Sequence, residues 1–243
     1  MGNPAIRVGT AGWSLPREIA EGFPAGRSAL GRYAARFSGV EVNSSFHRPH
    51  RAVTWQGWGA SVPAGFRFSA KLPKTITHQL RLVDCGAELD RFMSEVGGLG
   101  DKLAVLLVQL PPKLEFEAGG AAAFFADLAA RTTTAIACEP RHPSWFARPA
   151  EALLAGLRVA RVAADPARCE GSGEPGGWRG LSYWRLHGSP VMYRSSYADR
   201  VAHYARELAG EAAAGHDTWC MFDNTASSAA AGDALALAAA LGA

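Results

Sequence analysis

The chain is poor in the patterns that usually announce a chemistry. Four cysteines occur, Cys85, Cys138, Cys169 and Cys220, and no two form a CxxC pair. That removes the spacing expected of a zinc knuckle or a dithiol redox site. No HxH, HExxH or DxD pair is present to mark a metal centre. No GxGxxG follows the first apolar run, so the open dinucleotide-binding sheet has no support. Strong charge of either sign is also missing. The formal net charge is +3, mildly basic, and does not by itself point to nucleic acid. Nearly all the positive charge is arginine, and alanine and glycine are abundant, as a GC-rich coding bias would produce. No run is long and apolar enough for a membrane span; the alanine-rich tail is interrupted by Asp233. The start, MGNPAIRVGTAGW, lacks a basic segment followed by an apolar one, so no signal peptide is expected. Cys138 and Cys220 sit inside apolar runs and read as buried thiols, which suits a reducing cytoplasm.

What is present is a rhythm. Short apolar runs recur along the whole chain, and most of them end in charged or amide side chains. The runs are IRVGT (6–10), GVEVN (39–43), FRFSAKL (66–72), AVLLVQL (104–110), AIACEPR (135–141), RVARVAA (158–164), LSYWRLH (181–187) and a last one at 218–223. Helical spacing fills most of the intervals: 26–38, 51–61, 84–98, 119–131, 149–155, 197–214 and 226–241. Eight alternations of strand and helix predict a parallel α/β fold, and the strand count predicts closure into a TIM-type (β/α)8 barrel. With 243 residues and 48% hydrophobic content the chain suits a single domain, 1–243. Residues 166–180, PARCEGSGEPGGWRG, break the rhythm. They predict a missing or irregular helix between strands six and seven, a mobile loop beside the mouth with Trp178 as its anchor.

A strand alternates faces with period two. Glu41 therefore shares a face with Asn43, Ser69 with Lys71, Glu139 with Arg141, and Arg185 with His187. So many polar groups on inner faces are tolerable only at a solvated mouth, since an unpaired buried charge is very costly. The C-terminal rim of a barrel provides one. Glu41 and Glu139 are the acid–base candidates, with His187 assisting; a structural ion pair between Glu139 and Arg141 or Arg185 is the alternative. Lys71 is a further catalytic candidate, as proton-transfer group, Schiff-base nucleophile or anion binder. Arg141 and Arg185 offer forks for phosphate or carboxylate, with Arg48 and Arg194 reaching from loops. Asn43, Gln109, Asp223 and Asn224 would orient the ligand, and His78 and His142 lie at the same predicted rim. Trp13, Phe46, Trp145, Tyr193 and Tyr197 are aromatic candidates at this edge. The segment VMYRSSY, carrying Tyr193, Arg194 and Tyr197, follows strand seven where barrels often hold phosphate.

Taken together, GTAGWS (9–14), VEVNSSFHR (40–48), FSAKLPKTITH (68–78), LLVQLPP (106–112), EPRHPSW (139–145), YWRLHGSPVMYRSSY (183–197) and FDNTASSAA (222–230) resemble the motifs of the domain-of-unknown-function-72 (YecE-like) family. The resemblance covers nearly the whole chain and implies an αβ-barrel of the TIM type, without a settled activity. Two positions depart from it: His47 stands where the family usually has tyrosine, and Ser228 where it usually has glycine.

The first functional expectation is an enzyme applying acid–base chemistry to a small anionic ligand, phosphorylated, carboxylated or sugar-like. No cofactor is expected, although carboxylates and histidines at one rim also raise a divalent metal. The alternatives are a nucleic-acid-binding or phosphodiester-processing barrel similar to apurinic endonucleases, and a non-catalytic ligand sensor. No membrane partner is expected, and the sequence carries no signal of oligomeric state.

Overall fold

The apolar runs become strands because their β-branched and aromatic residues pack on two faces at once. In the computed structural model, which describes residues 6–26 and 28–242, ten strands are formed. They are β1 (Ile6–Thr10), β2 (Gly39–Val42), β3 (Arg67–Lys71), β4 (Leu103–Gln109), β5 (Ala135–Glu139), β6 (Val159–Arg161), β7 (Ala163–Asp165), β8 (Gly176–Gly177), β9 (Leu181–Leu186) and β10 (Asp217–Phe222). The helices are α1 (Ala29–Ala34), α2 (Ser44–His47), α3 (Ala52–Ala60), α4 (Gly86–Val96), α5 (Ala118–Ala130), α6 (Arg148–Gly156), α7 (Val201–Ala213) and α8 (Ala229–Ala240). The expectation about a signal peptide rests in part on residues 1–5, which lie outside the described residues.

The strands form two sheets. One runs β1-β10-β9-β7 and is parallel throughout. The other runs β2-β3-β4-β5-β6-β8 and is parallel except for β8, which pairs antiparallel with β6. An α/β fold with parallel sheets is thus present, but the single closed sheet expected from the strand count is not formed among the described residues. The expected sixth strand is divided at Val162. The Val162 N–H still donates to Cys138 O of β5 at 2.8 Å, whereas β7 pairs with β9. The chain changes sheet there because its neighbour changes. At the other side, a parallel bridge joins Ala11 to Glu41, and Gly12 N–H donates to Glu41 O at 2.8 Å.

Packing separates two apolar layers. Val105, Leu107, Ala137 and Ala160 from one sheet, with Val162 at the crossing, meet Leu181, Tyr183, Trp219 and Met221 from the other in an inner cluster. The alternate residues, among them Leu106, Val108, Ile136, Cys138, Trp184, Leu186, Cys220 and Phe222, face the larger outer cluster. Among the described residues, no helix is long and apolar enough to cross a membrane.

The 166–180 segment forms no helix, as expected, but it does not simply lie at the mouth. It returns along the sheet to the opposite end. There Trp178 N–H bonds Val159 O (2.9 Å), and its ring packs on the inner cluster with Arg158 stacked at 4.7 Å. Arg161 holds the segment, donating to Gly171 O (2.8 Å) and Glu174 O (3.0 Å) while paired with Glu151. A cavity of about 410 Å³ remains between residues 164–174 and α7. Ser228, the position where glycine is usual, has φ 66°, in the left-handed region that favours glycine.

Candidate active site

The period-two alternation that builds the inner cluster also builds the site. One step beyond Tyr183 on the inner face of β9 comes Arg185, and one step beyond that His187. β10 continues from Met221 to Asp223, β4 from Leu107 to Gln109, β5 from Ala137 to Glu139, β3 from Ser69 to Lys71, and Glu41 faces inward from β2. A polar layer therefore caps the apolar one at the C-terminal ends of the strands.

Arg185 is the centre of this layer and is fully buried. Its Nε and Nη2 donate to Glu41 Oε2 (2.9 Å) and Oε1 (2.6 Å). Nη1 reaches Glu139 Oε2 (2.5 Å), and Nη2 also reaches Asp223 Oδ2 (3.0 Å). One guanidinium thus binds three carboxylates contributed by β2, β5 and the end of β10. Burial opposes its charge, yet Glu41, Glu139 and Asp223 hold its pKa well above the ordinary arginine value. Arg141 takes the other oxygen of Glu139, through Nε (3.2 Å) and Nη2 (3.0 Å). Tyr183 completes the floor, its hydroxyl 3.0 Å from Glu41 Oε2 and 2.8 Å from Ser69 Oγ.

His187 bridges two of these carboxylates, Nδ1 to Asp223 Oδ2 at 3.0 Å and Nε2 to Glu139 Oε1 at 3.1 Å. With an acceptor at each ring nitrogen, the doubly protonated imidazolium is the form that fits. Burial, the largest single influence, would lower its pKa, but the charge of Glu139 and the hydrogen bonds to Asp223 and Glu139 together outweigh it and the result is raised. Glu139 behaves in the opposite sense. Burial would raise it, but Arg185, His187 and Arg141 hold it well below the usual carboxylate range. Asp223 is lowered for the same reason, by Arg185 and His187 against burial.

Lys71 differs from its neighbours. It is nearly buried, its Nζ lies 4.1 Å from the centre of the Phe46 ring, and among the described residues it has no salt-bridge or hydrogen-bond acceptor. Burial, then Arg185, pull its pKa down to about 8, with Glu41, Glu139 and Asp223 opposing. His78 is half-buried beside it. Its pKa is lowered by burial and by Lys71 and Arg141, and its Nδ1 is 2.8 Å from Thr77 Oγ1. Gln109 lies next to Glu139 in register across β4 and β5. Asn43 donates to Asp223 Oδ1 at 3.3 Å, while its Oδ1 is buried without a partner. Tyr193 is exposed, and its ring stands edge-on to His187 with centroids 5.9 Å apart.

The expected groups Glu41, Asn43, Lys71, His78, Gln109, Glu139, Arg141, Arg185, His187, Tyr193 and Asp223 are therefore brought together. Others are not. Tyr197 is fully buried behind the sheet, its hydroxyl accepting from Gly188 N–H (2.9 Å) and donating to Asp165 Oδ1 (2.8 Å). Asp165 itself faces outward, paired with Arg200. Asn224 is also fully buried, and its Nδ2 donates to Asp233 Oδ2 (2.6 Å) and Ser195 O (3.0 Å). Both side chains position the loop after β9 and present nothing to a ligand. His142 caps the short turn Pro143–Phe146 through Ser144, and Trp145 anchors that turn on Leu114 O. Arg194 is exposed on the loop surface. Arg48 and Trp13 belong to a separate cleft of about 740 Å³ that adjoins the cluster at Asn43.

Two contributors escaped the sequence reading. Tyr183 shares the face of Arg185 two residues earlier, a signal that was available but was absorbed into the apolar run. Asp233, noticed only as a break in the alanine-rich tail, accepts from Ser196 Oγ (2.5 Å), Tyr197 N–H (2.9 Å) and Asn224, and so pins the loop. Among the described residues, no group of three His, Cys, Asp or Glu side chains is arranged to hold a metal ion. The carboxylates converge on a guanidinium instead.

Comparison with known proteins bears on the fold and the family. Over 144 residues the chain is 28% identical to the UPF0759 protein YecE of Escherichia coli strain K12, covering 59% of this chain and 51% of that protein. The chain thus matches about half the length of that relative. A DUF72 family protein of Enterococcus faecalis V583 superposes with TM-score 0.82 at 18% identity, covering 98% of this chain and 96% of that one. A DUF72 family protein of Thermotoga maritima MSB8 superposes with TM-score 0.72 at 20% identity, covering 98% and 99%. These likenesses carry the fold. The model of the family described as "Protein of unknown function DUF72" matches residues 7–243, and the chain belongs to that family.

Proposed function

We propose that this protein is an enzyme that binds a small phosphorylated or carboxylated ligand at the polar layer and acts on it by proton transfer. The observation that carries this reading is the distribution of partners. Arg185 alone engages all three carboxylates of the layer, while Arg141 and His187 share the other oxygen of Glu139 and His187 shares Asp223 Oδ2 with Arg185. Among the described residues, the cation of this layer left without an acceptor is Lys71. An incoming anion would meet Lys71 and the half-buried Arg141, with His78, Gln109 and Tyr193 beside them. This assignment redistributes the expected roles. Arg185 and Glu41 become a buried scaffold rather than anion clamp and base. Glu139 and Asp223 fix Arg141 and His187, and Lys71, with a pKa brought down to about 8, becomes the proton-transfer group.

The same reading takes the two sheets as halves of one TIM-type ring in a single domain. The Ala11–Glu41 bridge and the passage of the chain through Val162 support it, as does a site at the C-terminal strand ends. Four free cysteines, three of them buried, support a cytoplasmic residence. Calorimetric titration with inorganic phosphate tests the function. Binding should weaken at least about tenfold in both Lys71→Met and Arg141→Met, a loss of about 1.4 kcal/mol or more each. Unchanged binding in both variants would refute it.

A further inference from the structure

We infer that Lys71 is a nucleophile that forms an imine with a carbonyl compound bearing a carboxylate or phosphate, an α-oxo acid being the simplest. This rests on the reading above, that the mouth binds an anion, and extends it by naming the reactive group of the ligand.

Three observations lead there. First, a lysine that served only to neutralise charge would be paired, and carboxylates are close at hand. Glu41, Glu139 and Asp223 all influence Lys71, yet their hydrogen bonds go to Arg185, Arg141, His187, Tyr183 and Asn43. Lys71 instead lies over the face of Phe46. An aromatic face tolerates the ammonium but makes no hydrogen bond that must be broken when the proton leaves. Second, positive charge in this chain is overwhelmingly arginine, and only Lys71, Lys74, Lys102 and Lys113 are lysines. Arginine cannot lose its proton in a protein, whereas a desolvated lysine can. Third, the surroundings lower the proton's hold. Burial and Arg185 act against the ammonium, and the pKa of about 8 leaves roughly two- to three-hundredfold more free amine at neutral pH than an ordinary lysine has.

The step balances without a further reagent. The ammonium gives up one proton to solvent or to half-buried His78. The free amine attacks the carbonyl carbon, forming a C–N bond as the C=O π pair moves to oxygen. The resulting carbinolamine loses that oxygen as water, carrying off the two remaining amine hydrogens, and C=N replaces C=O. Arg141 would hold the anionic end of the substrate, and Gln109 offers an amide beside it. The titratable and charged groups facing Lys71 through this cycle are Arg185, Glu41, Glu139 and Asp223, with His78 alongside.

The test is reductive trapping on the full chain. The protein is incubated with pyruvate, or separately glyoxylate, and borohydride is added. Modified lysines are then located by peptide mass mapping. The expected result is an adduct at Lys71 at least about tenfold above that at Lys74, Lys102 or Lys113, rising with pH through about 8 and suppressed by excess inorganic phosphate. Mapping the unaltered chain requires no variant to fold; Lys71→Arg, confirmed folded by circular dichroism, should abolish the adduct. Labelling spread evenly over the four lysines, or none at Lys71, overturns the inference. If phosphate still binds through Lys71 and Arg141 in that case, the imine alone has failed. If phosphate binding is absent as well, the anion-binding reading has failed with it.

Discussion

Arg185 and Glu41 face each other as a two-pronged pair, 2.9 and 2.6 Å apart, with both side chains wholly removed from solvent. The other prong of the same guanidinium ties β5 through Glu139, and Nη2 also reaches Asp223 beyond the end of β10. Arg185→Met would leave buried Glu41 without a cation and remove one from Glu139 and Asp223, and a broken buried pair costs about 3–5 kcal/mol. Arg185→Lys should restore little of it, because a point charge cannot serve three acceptors along a fork. Urea unfolding of both variants, with Tyr183→Phe as a milder reference costing about 1 kcal/mol, checks the ordering.

The cluster also fixes how stability responds to pH. The raised His187 pKa contributes stability that is complete below its unfolded value of about 6.5 and is lost as pH rises through the folded value. The lowered Glu139 and Asp223 contribute above their unfolded values of about 4, and that part is lost as pH falls through the folded ones. Lys71 has the opposite sense from His187. Its pKa falls on folding, so between about 8 and 10.4 the unfolded chain binds more protons and stability gains with pH. Thermal unfolding across pH should show His187→Asn flattening the decline above about 6.5 and Lys71→Met removing the gain above 8.

Ser228 offers a backbone test. At φ 66° it pays for a conformation glycine adopts freely. Ser228→Gly should stabilise by about 0.5–1 kcal/mol, the steric cost of 1–2 reduced by the greater freedom of glycine when unfolded. Loss of stability on that change would show that the serine hydroxyl contributes more than its backbone costs.

Asp233 holds the loop after β9 through Ser196, Tyr197 and Asn224. Asp233→Ala leaves buried donors unsatisfied, at about 1–3 kcal/mol. Hydrogen exchange in residues 192–197 should accelerate in this variant, while amides of β4 and β5 keep their protection.

How much of this could be read from the chain follows from what alternation encodes. Period two fixes which side chains share a face, and that, joined to their common position at strand ends, put Glu41, Lys71, Glu139, Arg141, Arg185, His187 and Asp223 together. It does not say which groups pair with which. The role of Arg185 as hub and Glu41 as its partner therefore needed the distances. Alternation fails where a strand changes neighbours. RVARVAA is one periodic run in sequence, yet the chain passes between sheets at Val162, and Asp165 points away from the mouth. It is silent beyond the strand ends, where Tyr197, Asn224 and His142 point according to loop contacts. Asp233 was hidden because a helical position facing a loop looks the same in sequence as one facing water.

The central claim is that the mouth takes an anion on Lys71 and Arg141, above a layer of carboxylates already satisfied by Arg185. A crystal of the protein soaked in phosphate addresses it most directly. The account predicts phosphate oxygens within hydrogen-bonding distance of Lys71 Nζ and the Arg141 guanidinium, with the Arg185–Glu41 pair undisturbed. An empty mouth at high phosphate, or a divalent cation seated among Glu41, Glu139 and Asp223 with Arg185 displaced, would contradict it.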